Sequence, residues 1–199
     1  MEIDPTTYTG NVYHFVTSTI IPRPIGWAST LSAGGVPNLA PFSFFNGLSG
    51  NPPYLMISVG QRDGRAKDTL ANVLETKEFV INIVGEPVAR QMNLTSGNYA
   101  PDVDEFRVSG LTPAPAAKVK PPRVAEARVH LECALAQTVP LPRSEYVVVI
   151  GEVVWFHIAE EVLNEERRVD PLKLAPIARL GGSSWYTTLG RVFEMKRPP

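Results

Sequence analysis

Residues 25–45 read IGWASTLSAGGVPNLAPFSFF, and this stretch decides the class of fold. The segment 25–31 carries the apolar, aromatic and β-branched residues that are typical of a strand. Two adjacent glycines, Gly34 and Gly35, tolerate positive φ and are typical of a tight turn. The segment 36–45 then runs back as a second strand. The pattern therefore predicts an antiparallel hairpin near the start of the chain.

Strand signals also dominate the rest of the chain. Tyr54–Val59 and Phe79–Val84 are apolar runs with the character of buried strands. Residues 128–135 alternate between polar and apolar side chains, and residues 146–158 are nearly continuous in apolar ones. Hairpin signals outnumber strand–helix–strand units. The sequence therefore predicts a mainly β protein, a closed or partly closed antiparallel barrel of about six or seven strands with a few short helices.

The composition is that of a globular protein with a single domain spanning residues 1–199. The chain is 44% hydrophobic and 20% charged, with a formal net charge of -1. This balance lacks the strong positive charge that favours nucleic acid or an anionic membrane surface. The N-terminus has no signal-peptide pattern, and no apolar run approaches the ~18 residues that span a bilayer. We therefore expect a cytoplasmic protein with no nucleic-acid or membrane partner.

Familiar catalytic motifs are missing from the sequence. It contains no G-x-G-x-x-G, no G-x-x-x-x-G-K-[ST] and no G-x-S-x-G. The histidines His14, His130 and His157 are far apart, and with the single cysteine Cys133 they give no metal-ligand spacing. We therefore expect no metal site and assign no catalytic side chain. A bound organic cofactor is the more economical source of chemistry.

The alternating segment 128–135 predicts two different environments for its side chains. His130 falls among the polar residues, which favours an exposed histidine over a contact to a nicotinamide. Cys133 falls on the apolar face, where a cysteine behaves as a small buried hydrophobe.

A candidate phosphate site lies at Lys67-Asp68-Thr69, directly before a segment with helical spacing. Helix N-termini expose unpaired N–H groups and bind phosphate readily. Lys67 and Thr69 add a charge and a hydroxyl donor, and Arg62 and Arg65 extend the positive field. In the alternative interpretation, Asp68 or Thr69 is an ordinary N-cap and Lys67 is a solvated charge.

A second candidate cluster is the segment 22–30, which reads PRPIGWAST. Its two prolines hold Arg23 in extended backbone before the strand begins. Gly26 permits the close approach of a ring or of another backbone. Ser29 and Thr30 supply hydroxyls at the end of the strand. The alternative is a proline-rich edge that leads into an ordinary core strand.

A third cluster is the segment 38–46, which reads NLAPFSFFN. Small and polar residues interleaved with aromatic ones suit a flat amphipathic ligand, which needs stacking faces and a few donors. Phe42 and Phe44 share one strand face and Phe45 points to the other, so at least one of them is expected in the core.

Taken in chain order, the three clusters resemble motifs of the flavin reductase-like family of FMN-binding split barrels. The motifs that carry the resemblance run from about Tyr13 to Val84 and are PRPIGWAST, NLAPFSFFN, PPYLMISV, KDTLAN and EFVIN, with weaker support from RLGGSSWY near the end. The resemblance implies a six-stranded antiparallel split barrel with Greek-key connections and flanking short helices. It also implies a homodimer.

In that family FMN lies in a groove near the subunit interface, and the resemblance implies its contacts here. One set would line the isoalloxazine and ribityl chain: Trp27, Ala28, Ser29 and Thr30. A second would close over the other side of the ring: Ser43, Phe44, Phe45 and Asn46. A third would hold or approach the phosphate end: Lys67, Asp68, Thr69 and Arg23, with Gly26 leaving room. A fourth would complete the pocket or that of the dimer partner: Leu180, Gly181, Gly182 and Tyr186.

The same resemblance implies an oxidoreductase that uses FMN rather than FAD and takes hydride from NADH or NADPH. Reduced FMN would then leave for a partner oxygenase or another electron acceptor. One alternative is a flavoredoxin-like carrier that keeps FMN tightly bound and receives electrons from a protein. A third interpretation is a flavin-binding protein without turnover. Oxidation of NADH or NADPH in the presence of excess flavin separates the first two.

Overall fold

The computed structural model describes residues 1–62 and 64–198, apart from the side chain of Arg62, so the predicted contribution of Arg62 to a positive field lies outside the described part. The helices are α1 (Tyr13–Thr19), α2 (Asp68–Thr76), α3 (Ala89–Leu94), α4 (Glu105–Ser109) and α5 (Pro171–Leu174), with 3-10 turns at Glu86–Val88 and Glu160–Val162. The strands are β1 (Arg23–Pro24), β2 (Gly26–Leu31), β3 (Pro37–Phe42), β4 (Phe45–Gly50), β5 (Pro53–Arg62), β6 (Arg65–Ala66), β7 (Glu78–Ile83), β8 (Pro113–Ala114), β9 (Arg123–Val124), β10 (Val129–Pro140), β11 (Tyr146–Ile158), β12 (Ala178–Arg179) and β13 (Tyr186–Thr187).

The main sheet has the order β3-β2-β7-β10-β11-β5-β4, with β6 paired to β5. Every pairing in it is antiparallel. Hairpins join β2 to β3, β4 to β5 and β10 to β11, whereas β7 and β11 pair with strands distant in sequence. The sheet curls on itself, because Phe42 of β3 and Ile57 of β5 meet in one core although their strands are far apart in the sheet order. The predicted mainly β class is confirmed.

The first predicted hairpin forms where the sequence indicates it. Its register pairs Gly26 with Phe42 and Leu31 with Pro37. Gly35 adopts a φ of 81°, the left-handed conformation that glycine tolerates best. In the described part of the chain, β3 is an edge strand of the main sheet and pairs only with β2.

Apolar side chains form two cores on opposite faces of this sheet. The inner core fills the barrel and includes Ala28, Ile57 and Phe79. The outer core lies between the sheet and the segments that cover it, and includes Trp27 and Phe106. Because successive strand residues point to opposite faces, neighbours such as Trp27 and Ala28 belong to different cores.

The connection from 96 to 122, which contains five prolines and looks irregular in sequence, packs over the outer face of the sheet. Ser29 Oγ donates a hydrogen bond to the Pro122 carbonyl, and the Val124 N–H donates to Asn82 Oδ1 at 2.9 Å. The connection also contains α4, which the sequence did not predict because one helical turn gives no periodic signal. Asp104 caps that turn through the Phe106 N–H at 2.9 Å.

Two local predictions were wrong. Neither Asp68 nor Thr69 caps α2, because Lys67 occupies the N-cap position and Asp68 already lies in the first turn. His130 was expected at the surface, yet it is only 3% exposed. Its strand face is polar in sequence but is covered by the connection that follows α4. In the described part of the chain, no helix is long and apolar enough to span a bilayer.

Candidate ligand-binding groove

A cavity of about 530 Å³ opens beside the free edge of β3. This volume falls within the ~300–1,000 Å³ typical of small-molecule sites. Four segments line it: part of β3 (Asn38, Ala40, Pro41, Phe42), the turn into α2 (Arg65–Thr69), the loop after α3 (Thr95–Tyr99 and Pro101) and Glu105. We call this cavity the groove. It joins the third predicted cluster to the predicted phosphate site.

One end of the groove is the N-terminus of α2. Lys67 is the N-cap residue, with extended backbone at φ −64° and ψ 153°. Within residues 1–62 and 64–198, no side chain caps this nine-residue helix. Its first N–H groups and the positive end of its dipole therefore lie at the groove without a side-chain acceptor. Arg65 and Lys67 add positive charge beside them, partly balanced by Asp68.

A buried network of amides and hydroxyls stands behind this end. Asn38 Nδ2 donates to Thr30 Oγ1 at 3.2 Å and to Thr69 Oγ1 at 3.1 Å. Asn72 Nδ2 donates to the same Thr30 oxygen at 3.0 Å. All four side chains are buried, and Asn38 and Thr69 also line the groove. The network fixes the rotamers of the two residues that face the cavity.

The side chains predicted to line the ring and ribityl chain lie one layer behind the groove. Trp27 is 0% exposed, and its Nε1 donates to Thr95 Oγ1 at 2.9 Å. Ala28 packs in the inner core, and Ser29 is held by the connection over the outer face. Trp27 and Thr30 reach the groove indirectly, through their hydrogen bonds with Thr95 and Asn38, which line it. Any contact from this set to a ligand would have to come from the backbone.

The second predicted set lies outside the groove. Ser43 Oγ accepts a hydrogen bond from Arg23 Nε at 3.3 Å. The Phe44 ring packs 5.8 Å from the Tyr146 ring centroid. Asn46 is exposed, and its Oδ1 accepts from the neighbouring backbone N–H at 2.9 Å.

Gly26 does provide room, but for another part of the protein. The Phe45 ring lies 2.8 Å from the position that a Cβ on Gly26 would occupy. Any side chain there would displace the ring. The close approach predicted for Gly26 is therefore packing between β2 and β4.

A smaller cavity of about 230 Å³ adjoins the groove, and the two share Pro41 and Ser96 in their walls. We call it the second cavity. Arg23, Ser43, Gly182 and Tyr186 line it, so it collects several predicted site residues that the groove does not. Its remaining walls come from α1, α3, β12 and the residue between β1 and β2: Tyr13, Thr17, Met92, Arg179 and Ile25.

Arg23 holds the walls of the second cavity together. Its guanidinium donates to the carbonyl of Thr17, to that of Ile20 at 3.2 Å and to that of Leu180 at 3.1 Å. Burial lowers the pKa of this guanidinium, and the nearby Arg179 charge lowers it further. An arginine side chain is not deprotonated in proteins, so Arg23 stays charged and contributes a fixed positive field.

Sequence reasoning missed Glu105 and the loop after α3. Glu105 is 5% exposed, lines the groove, and accepts a hydrogen bond on Oε2 from the Leu39 N–H at 3.0 Å. Burial raises the pKa of its carboxyl. No signal marked it, because it belongs to the single turn α4 within a connection that looks irregular.

The fold is a curled antiparallel barrel, and the groove beside β3 has the volume of a small-molecule site. The chain belongs to the flavin reductase-like family, since the family model "Flavin reductase like domain" matches residues 17–175. The predicted family is thus confirmed.

Relatives and solved structures agree with this assignment. The chain is 44% identical to an uncharacterized protein of Aquifex aeolicus (strain VF5), over 90% of this chain and 91% of that protein. It is 36% identical to nitrilotriacetate monooxygenase component B from Bacillus cereus, with a TM-score of 0.93 and 98% of each chain covered. It is 30% identical to 2-nitrobenzoate 2-nitroreductase NbaA from Pseudomonas fluorescens, with a TM-score of 0.89, covering 100% of this chain and 96% of that one.

More distant structures share the fold. A protein of Shewanella frigidimarina described as having a split-barrel domain matches at 23% identity with a TM-score of 0.85, covering 100% of both chains. The flavoredoxin of Desulfovibrio vulgaris (Miyazaki F) matches at 21% identity with a TM-score of 0.79, covering 98% of this chain and 97% of that one. The split-barrel fold is therefore confirmed, and the family supports a flavin as the ligand.

Proposed function

We propose that this protein binds FMN in the groove and acts as a flavin reductase that takes hydride from NADH or NADPH. The observation that carries the proposal is the uncapped N-terminus of α2, with Lys67 and Arg65 beside it, opening into a cavity of about 530 Å³. A helix terminus of this kind binds one phosphate group well. The single phosphate of FMN fits it without a second anion site.

The remaining walls of the groove suit the rest of such a ligand. Ala40, Pro41 and Phe42 give an apolar surface against which a flat ring system can pack. Asn38, fixed by Thr30 and Thr69, offers polar groups beside that surface. We assign the phosphate end to Lys67, Thr69 and the first N–H groups of α2, and the ring end to the edge of β3.

Bound FMN would supply the redox chemistry, because a flavin accepts hydride from a dihydronicotinamide. The chain would contribute binding, orientation and charge at the two ends of the groove. This division agrees with the residues present, which offer anion donors and packing surfaces at the groove.

The acceptor of the reduced flavin is proposed to be a partner monooxygenase. Support comes from the 36% identity to component B of nitrilotriacetate monooxygenase from Bacillus cereus, since a component B implies a separate oxygenase. We also retain the homodimer as part of the proposal, because the expected flavin groove of the family lies near a subunit interface.

The decisive experiment is titration of the purified protein with FMN, followed by flavin fluorescence. The wild type is expected to bind FMN, and Lys67→Ala to weaken binding by about tenfold, since a charge-assisted contact to phosphate is lost. Lys120→Ala is the matched control, because Lys120 is exposed and does not line the groove. A wild type without affinity for FMN overturns the proposal.

Steady-state oxidation of NADH and NADPH with excess FMN then separates the possible roles. Rapid turnover supports the reductase. Tight FMN with little turnover favours the flavoredoxin-like carrier, and bound FMN that no donor reduces favours a binding protein without catalysis.

A further inference from the structure

We propose that the second cavity recognises the anionic group of the molecule that exchanges electrons with the flavin, and that Arg179 contacts that group. This inference rests on the proposed function, because it assigns a substrate subsite beside the flavin groove. The chemistry of the ligand is a phosphate or a carboxylate attached to a ring-sized portion.

The first argument is the charge of the second cavity. Arg23 and Arg179 both line it, and none of the described aspartates or glutamates does. Within the described residues, neither guanidinium makes an ion pair. The neighbouring groove is different, because Asp68 and Glu105 offset its cations. An anion is therefore favoured in the second cavity over a neutral or cationic group.

The second argument is that the two arginines differ in their hydrogen bonds. The guanidinium of Arg23 already donates to three backbone carbonyls and to Ser43 Oγ. Arg23 therefore holds the walls of the second cavity together and contributes a positive electrostatic field. Arg179 makes a single side-chain hydrogen bond in the described part of the chain, from Nη2 to the Ser183 carbonyl at 2.6 Å. Its remaining N–H groups are available to a ligand.

The third argument is that Arg179 is already oriented. Its guanidinium stacks over the Tyr186 ring, 4.6 Å from the ring centroid. Stacking fixes the plane of the guanidinium, so the side chain loses less entropy when it binds a carboxylate or phosphate in bidentate fashion. The backbone supports this position, because Arg179 pairs with Arg23 on one side and with Tyr186 on the other.

The fourth argument is position and size. The second cavity shares Pro41 and Ser96 with the groove, so a molecule in it lies next to the proposed ring site. Its volume of about 230 Å³ is below the ~300–1,000 Å³ of a whole small-molecule site, which suits one end of a substrate. Arg179 and Tyr186 also line a wide surface depression, so the guanidinium can be reached from outside.

The anion has two possible sources. It is either a phosphate of the nicotinamide donor or the carboxylate of a small aromatic acceptor. Both present a flat ring near the flavin and a negative group near Arg179, and two probes distinguish them.

The test uses protein loaded with FMN and follows the flavin absorbance as each probe is added. The probes are nicotinamide mononucleotide, benzoate and neutral benzamide. The variants are Arg179→Gln, Arg179→Lys and the matched control Arg191→Gln, since Arg191 is exposed and lies outside the second cavity. We expect the wild type to bind at least one anionic probe, Arg179→Gln to bind it at least tenfold more weakly, and Arg179→Lys to fall between them. Benzamide is expected to bind alike in all four proteins.

The pattern of loss identifies the source. A loss confined to nicotinamide mononucleotide supports the donor phosphate, and a loss confined to benzoate supports an acceptor carboxylate. Failure of the wild type to bind either anion, or equal affinity in Arg179→Gln and wild type, overturns the inference. Weaker binding of FMN by Arg179→Gln also overturns the inference, because Arg179 would then belong to the flavin site.

Two measurements keep these outcomes separate. A wild type that does not bind FMN defeats the proposed function, whereas normal FMN binding with unaltered anion affinity defeats only this inference. If Arg179→Gln has a lower melting temperature than the wild type, the anion affinity of Arg179→Lys alone decides the test. Lysine keeps the positive charge but loses the bidentate geometry of the guanidinium.

Discussion

The protein buries two polar networks on opposite faces of one sheet, and they are built from different chemistry. The amide–hydroxyl network of Thr30, Asn38, Thr69 and Asn72 stands behind the groove and contains no titratable group. The histidine–carboxylate network of Asn82, His130, Glu132 and His157 lies under the connection that follows α4. The contribution of the first network therefore does not change with pH, whereas the second makes stability depend on pH.

Glu132 is the anchor of the histidine–carboxylate network. Its carboxylate accepts hydrogen bonds from the N–H groups of Ala117 and Lys118 at 2.6 Å each, and from Val119 at 3.2 Å. His157 Nε2 lies 2.5 Å from Oε1. Burial by itself raises the pKa of this carboxyl, but these hydrogen bonds outweigh burial and lower it. One side chain thus holds a stretch of irregular backbone on the sheet.

The largest effect is expected from Glu132→Gln. The variant replaces one acceptor oxygen by an amide donor that faces backbone N–H groups, so at least one buried donor loses its partner. We expect the free energy of unfolding to fall by about 3 kcal/mol. Urea unfolding followed by circular dichroism measures it.

Glu126→Gln is the matched control for this change. Glu126 is exposed, and its carboxylate accepts a backbone N–H from Thr112 at 3.0 Å. A cost below about 0.5 kcal/mol is expected there. If both variants lose the same small amount of unfolding free energy, Glu132 does not anchor the covering segment, and the contrast between the two networks fails.

The next effect is a loss of stability on acidification, carried by His130. Burial, then the charges of Arg123 and His157, lowers the pKa of His130 to about 4, and its Nδ1–H donates to Asn82 Oδ1 at 2.8 Å. The unfolded chain takes up this proton near pH 6.5, before the folded protein does. Stability is therefore complete above about pH 6.5 and is lost as the pH falls toward 4.

Between pH 7 and pH 5 the expected loss from His130 is about 2 kcal/mol. Urea unfolding at both pH values measures it, and His130→Gln should show a smaller drop than the wild type. His14→Gln, which changes an exposed histidine on α1, should keep the full drop. If the free energy of unfolding falls equally in the wild type and in His130→Gln, the pH dependence comes from another titrating group.

The two networks also mark what the sequence could and could not reveal. The hairpin turn, the strand pattern and the motif Lys67-Asp68-Thr69 at a helix start follow from local rules, and each appears in the structure. The roles of Trp27 and Ser29 did not follow, because only the fold shows which strand face the connection covers. The Trp27 side chain packs in the outer core, and the Ser29 hydroxyl donates a hydrogen bond to the covering connection.

His130 illustrates the same limit from the other direction. Alternation placed it on a polar face, and polar faces are usually exposed. The face is polar here because Asn82 and Glu132 bind the backbone of a covering segment, and such long-range pairing leaves no periodic mark. Glu105 was missed for a related reason, since it reaches the groove from a single helical turn.

The smallest effect, and the one that sharpens the comparison most, is expected from Thr30→Val. The side chain keeps its shape but loses the oxygen that accepts from Asn38 and from Asn72. Asn38 retains Thr69 as a partner, so only Asn72 loses its one observed acceptor, and we expect a cost of about 1.5 kcal/mol. The cost should be the same at pH 7 and pH 5, because no group in this network titrates.

Because Asn38 loses one of its two anchors, FMN affinity in Thr30→Val should also fall, by a few-fold. Thr112→Val is the control, since Thr112 is exposed and its hydroxyl takes no part in either network. A cost that grows at pH 5 would show that the amide–hydroxyl network is coupled to a titrating group. Unchanged FMN affinity with the full loss of stability would instead confine the network to folding, and the geometry of the groove would then depend on the loop after α3.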